Sequence, residues 1–279
     1  MRKRILTALL IMFVVSSPAF AMGFPGPQDP NRPEEVDDTK VDATNYPFSI
    51  SIDKPSIDLI TEPGSTNNGE IAVENNGTKP LLIRVYAADW IYSEDGSKTF
   101  HKAGSTKHSC AGWMHLNPKE LLLEPLGTED IKYIMTTPKD ASGSHVAVIF
   151  FEGIFEEQDG IALGGRIGSI VYQETKGKST RSGEIKKLNV ESGTGKAKNF
   201  QVTFKNTGNC YTNVMPQVEI YSQNGQKMEG FAMPMLKTLP NDEVVIEEEY
   251  LLSEKGDYKA VVTIDLGDKT LKKAADFSL

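Results

Sequence analysis

A run of histidines with one cysteine is the group of residues in this sequence best suited to metal chemistry. In "FHKAGSTKHSCAGWMHL", Phe100 to Leu116, the potential ligands are His101, His108, Cys110 and His115. Zinc binds imidazole and thiolate, but the spacing H-x6-H-x-C-x4-H fits no familiar zinc pattern. A long loop between strands accommodates polar residues of this kind. We therefore predict a loop without a bound metal, followed by a strand whose Trp113 and Leu116 fill a core.

Cys110 and Cys210 are the two cysteines of the chain. In an exported protein they could form a disulfide that clamps two domains together. On the chain-entropy model such a bridge would contribute roughly 4 to 5 kcal/mol for a loop of about 100 residues. Buried or free thiols are the alternative. The sequence does not distinguish a Cys110–Cys210 bridge from two separate thiols.

Motifs of nucleophilic, zinc-hydrolase or phosphate-binding sites are missing from the sequence. It contains neither G-x-S-x-G nor H-E-x-x-H. Two Gly-Lys pairs, in "KGKS" from Lys176 and "GTGK" from Gly193, lack the earlier glycine of a phosphate-binding loop, because Tyr172 and Val190 stand at that position. We predict turns there, no catalytic residue, no cofactor and no enzymatic activity.

The N-terminus has the three parts of a secretory signal. Arg2, Lys3 and Arg4 precede an apolar run, and Ala19-Phe20-Ala21 supplies a cleavage site. We predict a signal peptide over 1–21 and an exported chain, with the periplasm as the first destination and the extracellular space or cell surface as alternatives. The next residues, 22–46, are rich in proline and acidic side chains and predict a disordered leader.

The charge balance excludes several classes of partner. The net charge is −8 for the full sequence and about −11 without the basic residues of the signal. Nucleic acids and anionic membranes both require a basic footprint. No later segment is long and apolar enough to span a bilayer, which takes about 18 residues. We expect an exported or surface protein as partner, and no insertion of the mature chain into a membrane.

From Phe48 onward, apolar residues alternate with polar ones. Phe48, Ile50 and Ile52 show this period of two, and Val146 to Phe150 repeats it. Turn residues interrupt the pattern at intervals of about ten residues, which is typical of all-β sandwiches. We predict an all-β chain of two immunoglobulin-like β-sandwich domains in tandem, the first over 47–172.

The second predicted domain, 184–279, follows a linker over 173–183 and repeats part of the first. The stretch "KNTGNCYTNVMPQVEIYSQNG", from Lys205, echoes "ENNGTKPLLIRVYAADWIYSEDG", from Glu74. We attribute the Asn-Gly pairs of this echo to turns that require positive φ. Seven strands are predicted in the second domain: Glu184 to Val190, Asn199 to Lys205, Asn213 to Tyr221, Met228 to Met235, Val244 to Leu251, Tyr258 to Asp265 and Leu271 to Phe277.

Four stretches resemble the periplasmic pilus-chaperone superfamily, the PapD-like group of paired immunoglobulin-like domains. They are "FSISIDKPSIDL", "NNGTKPLLIRVYAADW", "LEPLGTEDIKYIMTTP" and "IALGGRIGSIVY". In that family, the strand matching the last of these pairs with an incomplete subunit and offers it alternate apolar side chains. The resemblance implies a partner-binding role for Ile161, Leu163, Ile167 and Val171.

The family also holds a client's terminal carboxylate with an arginine and a lysine. At the matching positions this chain has Ser56, with Lys54 two residues earlier, and Gly168 or Ser169. A site without that cationic pair has little with which to bind a carboxylate. The resemblance thus implies the architecture and edge pairing, but not that contact.

The resulting functional prediction is an exported, non-enzymatic protein-binding module. It would capture a secreted or surface-assembled protein by β-strand edge pairing, as a chaperone does, and a pilus-like subunit is one candidate. The alternative is a structural component of the cell envelope or of an extracellular assembly, with the sandwiches acting as spacers.

Overall fold

The structure is a computed structural model that describes residues 48–93, 96–156, 162–195, 197–252 and 254–279. The predicted signal peptide and leader lie outside these ranges. The described residues form nineteen strands and one 3-10 helix, Ala111–Trp113, arranged as two β-sandwiches. This confirms the predicted all-β fold class. Within the same ranges, no helix has the length and apolarity needed to cross a membrane.

The first sandwich consists of two sheets. One has the strand order β1-β3-β8-β6, and the other has the order β2-β10-β9-β4-β5, with β7 also paired to β4. The strands are β1 (Ile50–Ile52), β2 (Ser56–Thr61), β3 (Thr66–Asn75), β4 (Leu81–Tyr92), β5 (Lys98–His101), β6 (Met114–Asn117), β7 (Glu120–Leu123), β8 (Thr128–Thr136), β9 (Ser144–Glu156) and β10 (Ala162–Thr175).

Alternation along these strands builds the first core. Ile71 and Val73 on β3 face Ile83 and Val85 on β4, and all four side chains are buried. Successive side chains of a strand point to opposite faces, so a period of two in sequence becomes one apolar face per sheet. Leu116 is buried in this core and Trp113 packs against it, as the sequence predicted.

The second sandwich contains three groups of paired strands: β11-β12-β17, β13-β16 and β15-β14-β18-β19. Phe200 and Phe204 are its largest fully buried side chains. The strands are β11 (Gly183–Ser192), β12 (Ala197–Asn206), β13 (Thr212–Val214), β14 (Gln217–Ser222), β15 (Lys227–Ala232), β16 (Leu236–Thr238), β17 (Glu243–Leu251), β18 (Asp257–Asp265) and β19 (Thr270–Ser278).

Of the seven strands predicted in this domain, one is broken into two and another ends earlier than predicted. The predicted strand Asn213 to Tyr221 is β13 and β14, separated around Pro216, and Met228 to Met235 ends near Pro234, before β16. Proline has no N–H for a sheet ladder, so pairing stops there. After each break the chain changes partner: β13 pairs with β16, whereas β14 pairs with β15 and β18.

The segment between the last strand of the first sandwich and the first strand of the second lies within the predicted linker of 173–183. Strand β10 continues to Thr175 because Gln173 is buried and donates hydrogen bonds to Thr61 and Thr175. The next strand, β11, begins at Gly183. The connection between the two sandwiches therefore comprises residues 176–182, the polar part of the predicted linker.

The echo between the halves reflects a repeated asparagine with the same structural task. Asn75 donates from Nδ2 to the carbonyls of Lys79 and Leu123, at 2.8 and 3.0 Å, while its Oδ1 accepts from Gly77 N–H. Asn206 likewise bonds the carbonyl of Cys210 at 2.9 Å and the N–H of Gly208. Both asparagines are fully buried. Each amide satisfies backbone groups of a loop that the sandwich encloses.

The explanation of the Asn-Gly pairs by positive φ holds at one end of the echo and is wrong at the other. Gly96 and Gly225, which close the two stretches, have φ of 81° and 83°. Gly77 and Gly208, which open them, are not among the glycines with positive φ. At Gly208 the constraint is space, since a Cβ would lie 2.3 Å from the carbonyl oxygen of Thr180.

The cysteines are separate, buried thiols, so the disulfide alternative is wrong for this structure. Cys110 belongs to the core of the first sandwich. Cys210 lies in the loop after Asn206, and its carbonyl accepts the bond from that side chain. Burial raises the pKa of both thiols, with the Asp89 carboxylate adding to the effect at Cys110.

We predict that Asn75→Ala and Asn206→Ala each lower the free energy of unfolding by about 2 to 3 kcal/mol, because each leaves buried carbonyls unpaired. Urea unfolding followed by fluorescence measures the change. The control is Asn68→Ala, which changes an exposed position of β3, the strand that ends at Asn75. Equal, small effects of all three variants would contradict the role assigned to the buried amides.

We predict that neither thiol reacts with Ellman's reagent in the native protein at pH 8, because both pKa values are raised and the thiolate is the reactive form. After denaturation without reductant, both should react. Thiol counts before and after denaturation provide the measurement. Two unreactive cysteines in the denatured chain would instead reveal a disulfide.

Candidate functional site at the open edge of β10

Strand β10 is paired along its whole length on one side and along half of it on the other. It pairs antiparallel with β9 from Ala162 to Glu174. On its other side it pairs with β2, in parallel, from Ile170 to Thr175. Residues 162–169 therefore have no neighbouring strand on that side among the described residues. They form an open edge, which we define as the backbone of residues 162–169.

The groups that point outward from the open edge follow from the adjoining pairing. The N–H of Ile170 donates to the carbonyl of Pro55, on the β2 side, at 3.0 Å. Backbone groups of a strand alternate in direction from one residue to the next. The N–H and C=O groups of Gly164, Arg166 and Gly168 therefore point to the open side. They are the groups that an added strand would bind.

Small residues keep this strand close to its surroundings. A Cβ at Gly168 would lie 2.8 Å from Val148 Cγ2, so the outer face has room only for glycine there. On the inner face, Gly165 pairs with Gly153, and the ring of Phe48 occupies the space that their side chains would take, at 2.9 and 3.0 Å. Glycines on both faces leave Arg166 as the prominent side chain beside the edge.

The four residues predicted to contact a partner have different environments. Val171 is fully buried, and Ile167 is half-buried and packs against the same core, so both side chains serve the first sandwich. The backbone of Leu163 pairs with Phe155, but its side chain and the whole of Ile161 lie outside the described residues. Direct side-chain contacts to a partner stay a prediction for Ile161 and Leu163.

The outer face of the same sheet carries a pocket of about 490 Å³, which lies across β9, β4 and β5, on the other side of β10 from the open edge. We call it the Arg166 pocket. Its walls include Tyr86, Phe100, Phe150 and the side chain of Arg166. The guanidinium of Arg166 lies over the Phe150 ring, 4.4 Å from its centroid. Stacking on aromatic rings holds an arginine in place while leaving its N–H groups available.

Further along this face, aromatic side chains join the two sandwiches. Trp90 and Tyr172 of the first pack with Tyr211 and Leu239 of the second in one buried cluster. Backbone bonds tie the same region: Ser144 N–H donates to the carbonyl of Asn209 at 2.9 Å, and Tyr211 N–H donates to Ser144 Oγ at 3.1 Å. Burial raises the pKa of both Tyr172 and Tyr211, so both hydroxyls stay neutral.

A lysine from the second sandwich completes this contact. Lys237 Nζ lies 3.6 Å from the centroid of the Tyr172 ring, 4.9 Å from that of Tyr211 and 3.0 Å from Asp58 Oδ1. Asp58 belongs to β2 and Tyr172 to β10, so one ammonium binds two strands of the first sandwich. Nothing in the sequence indicated this, because residues 58 and 237 come together only through the packing of the two domains.

The positions compared with the family's cationic pair contribute no charge here. Lys54 forms an ion pair with Asp53 at 2.9 Å and donates to the carbonyl of Glu70. Ser56 is exposed and Ser169 is fully buried. Cations that do lie on this face include Lys237 and Lys98, and the ammonium of Lys98 lies 5.4 Å from the Trp90 ring centroid. Burial and then repulsion from Lys237 lower the pKa of Lys98.

The histidine run is dispersed by the fold. His101 is exposed on β5, and His115 is exposed on β6 of the opposite sheet. His108 lies near His145, with ring centroids 6.2 Å apart, and burial lowers the pKa of both. Within the part of the chain that the structure describes, no three metal-ligating side chains form a group.

We predict that Lys237→Met loosens the two sandwiches and lowers the free energy of unfolding by about 1 to 2 kcal/mol, since it removes a cation–π contact and an ion pair. Small-angle scattering measures the spread of domain orientations, and urea unfolding measures stability. Lys227→Met is the control, because Lys227 pairs with Glu219 inside one sheet of the second sandwich. Unchanged scattering by a folded Lys237→Met variant would contradict the clamp.

Among known proteins, only solved structures were found to be similar to this chain. No family model and no curated protein matches the chain. Similar solved structures include a chain of the chaperone–tip adhesin complex of CFA/I fimbriae, with 14% identity, a TM-score of 0.46 and coverage of 82% of this chain and 98% of that one. The class 5 fimbriae chaperone CfaA has 15% identity, a TM-score of 0.43 and coverage of 82% and 98%.

The YadV chaperone is similar as well, with 13% identity, a TM-score of 0.41 and coverage of 82% of this chain and 99% of that one. At these identities and TM-scores the likeness concerns the fold alone. What the protein does has to be inferred from its own residues.

Proposed function

We propose that this chain is an exported, chaperone-like protein-binding module. It captures a secreted or surface-assembled protein by adding a strand of that protein to the open edge of β10. A pilus-like subunit is the class of partner that the family resemblance favours. The module acts by binding, with no catalytic step, and we infer the periplasm as its first destination.

The observation that carries this proposal is the half-paired state of β10. Three consecutive outward-pointing residues, Gly164, Arg166 and Gly168, have no strand beside them among the described residues. Each backbone hydrogen bond contributes a net of about 0.5 to 1.5 kcal/mol, so several bonds along one edge give useful affinity with little dependence on sequence. Side chains on either face would then select the partner.

The rigid surroundings of the edge also favour capture of a strand. On one side β10 is held by β9 along Ala162 to Glu174, and on the other by β2 from Ile170. A strand that is already ordered loses little conformational entropy when a partner binds. The partner's ordering is then the main entropic cost, which suits a client that is itself incompletely folded.

The test compares Gly164→Pro with Gly164→Ala. Both add a Cβ at 3.2 Å from the carbonyl oxygen of Gly153, but only proline removes the outward N–H and blocks an added strand. We expect Gly164→Pro to weaken partner capture at least about tenfold and Gly164→Ala to retain it. Each variant must first match the wild type in circular dichroism.

Native mass spectrometry of the tagged protein, purified gently from the exported fraction of its own cells, measures capture. A stoichiometric, displaceable protein partner that is lost in Gly164→Pro supports the proposal. Equal capture by both folded variants would sink edge pairing. A bare monomer or a large homogeneous self-assembly in all samples would favour the structural alternative, in which the sandwiches act as spacers of the cell envelope.

A further inference from the structure

In the described strands of the first sandwich, aromatic rings cover the glycines, with one exception. A Cβ at Gly69 would lie 2.5 Å from Tyr133 Cζ, and a Cβ at Gly168 would lie 3.1 Å from Phe150 Cε1. Each of these rings belongs to the residue directly opposite the glycine on the neighbouring strand. A ring over a glycine shields backbone that has no side chain of its own, and it helps to fix the register of the two strands.

On the inner face of β9 and β10, a ring from the other sheet has the same role. Gly153 and Gly165 are a cross-strand pair, and the ring of Phe48 lies over both of them. Its Cε2 is 3.0 Å from the Cβ position of Gly153, and its Cε1 is 2.9 Å from that of Gly165. An aromatic side chain thus fills the space that each of these glycines leaves.

The exception is Gly164, which lies on the open edge and is exposed. Its Cβ position has two neighbours, the carbonyl oxygen of Gly153 at 3.2 Å and Ile154 Cγ1 at 3.9 Å. No ring atom of a described residue lies within 4 Å of that position. The residue opposite Gly164 on β9 is the aliphatic Ile154, and no described strand lies on its other side. Space above this glycine is therefore open to a side chain of an added strand.

A row of apolar side chains leads across the outer face to this glycine. Leu122 on β7 stands opposite Leu82 on β4, Leu82 stands opposite Ile154 on β9, and Ile154 stands opposite Gly164 on β10. Leu122 is 62% exposed, so the row is not covered at its far end. A strand added beside β10 would place one of its own residues next in this row. An apolar side chain at that position would extend the row and remove its surface from water.

The adjacent row on the same face has no such preference. It contains four charged residues of alternating sign, on β7, β4, β9 and β10, which are Glu120, Arg84, Glu152 and Arg166. Because the signs alternate, this row favours neither an acidic nor a basic partner residue. Selection by side chain on the outer face is therefore expected at the position opposite Gly164.

We propose that the partner strand carries an aromatic residue opposite Gly164, and that its ring lies over this glycine and against Ile154. This inference rests on the proposed edge pairing. Residues directly opposite each other on paired strands are about 4.5 to 5.5 Å apart, so a ring on the added strand reaches the glycine as Phe150 reaches Gly168. Leucine and valine side chains are shorter and bury less area there, so the class of residue is phenylalanine, tyrosine or tryptophan.

The first test is messenger-RNA display of strand-length peptides with every position randomised and with the full chain as bait. We expect the wild type to enrich an aromatic residue at one position of the selected strands. Gly164→Val fills the space with its own side chain, so its selected peptides should bind without that enrichment. Gly230→Val is the matched control in the second sandwich, because a Cβ at Gly230 would also face a carbonyl oxygen, at 3.1 Å. It should select as the wild type does.

Selected peptides are then titrated singly. Replacement of the aromatic residue by leucine should weaken binding to the wild type by about threefold to tenfold and should change binding to Gly164→Val little. In glycine-labelled wild type, whose Gly164 signals are identified with Gly164→Ala, the aromatic peptide should shift an α-proton of Gly164 upfield through its ring current. The leucine peptide should not. A peptide that binds without this shift would overturn the inference, and the measurement stands even if Gly164→Val does not fold.

The remaining outcomes separate this inference from the proposed function. Peptides that bind the wild type and lose affinity for Gly164→Pro, but show no preference for aromatic residues, overturn the inference and leave edge pairing intact. Equal aromatic enrichment by the wild type and a folded Gly164→Val variant also overturns it, because the ring would then bind elsewhere. A folded wild type that selects no peptide overturns both.

Discussion

The open edge of β10 exists because the N-terminal strand changes sheets within three residues. β1 pairs with β3 in one sheet, and β2 pairs with β10 in the other. Between them, Asp53 N–H donates to the carbonyl of Ala72, and Asp53 Oδ1 accepts from Ala72 N–H at 2.9 Å, which holds the crossing chain against β3. Among the described residues, this chain segment reaches β10 only at Pro55, so residues 162–169 have no strand beside them on the side opposite β9.

On the proposed function, this crossing links the stability of the first sandwich to partner binding. A first strand that ran beside β10 throughout would close the edge and remove the binding groups. Instead, β1 contributes Ile50 and Ile52 to the core from the opposite sheet. Phe48 spans the gap, with its ring over the Gly153–Gly165 pair. Side chains thereby cover the core, while the outward backbone groups of residues 162–169 stay unpaired with any described strand. The side chains that stabilise the fold are therefore distinct from the backbone groups that a partner would bind.

The second sandwich contacts the other half of β10, residues 170–175, which pairs with β2. Tyr172 on β10 packs against Tyr211, and the ammonium of Lys237 lies on its ring while also pairing with Asp58 on β2. The parallel β2–β10 ladder and the contact between the domains therefore share two side chains. Burial raises the pKa of both tyrosines, so their hydroxyls stay neutral, and the Lys237–Asp58 ion pair forms beside uncharged rings.

Much of this fold was predictable from sequence, whereas the site was predictable only in part. Alternation of apolar and polar residues in segments such as Val146 to Phe150 correctly predicted strands, because one face of each sheet is buried. The breaks at Pro216 and Pro234 were not recognised, since a proline within an alternating run looks like a strand until its partners are known. The stretch singled out by the family resemblance overlaps the half-paired strand β10, but Val171 faces its own core. Lys237 and Phe100 are joined to β10 only in three dimensions, and no local pattern marks such contacts.

An open edge is also a hazard, because two copies of a protein can pair through it. Arg166 stands near the middle of the open edge, and an antiparallel pairing of two copies about this residue would place two guanidinium groups opposite each other. Like charges directly opposite destabilise a strand pair. Glycines on either side of Arg166, Gly164 and Gly168, then keep the edge accessible without supplying an apolar face on which copies could aggregate.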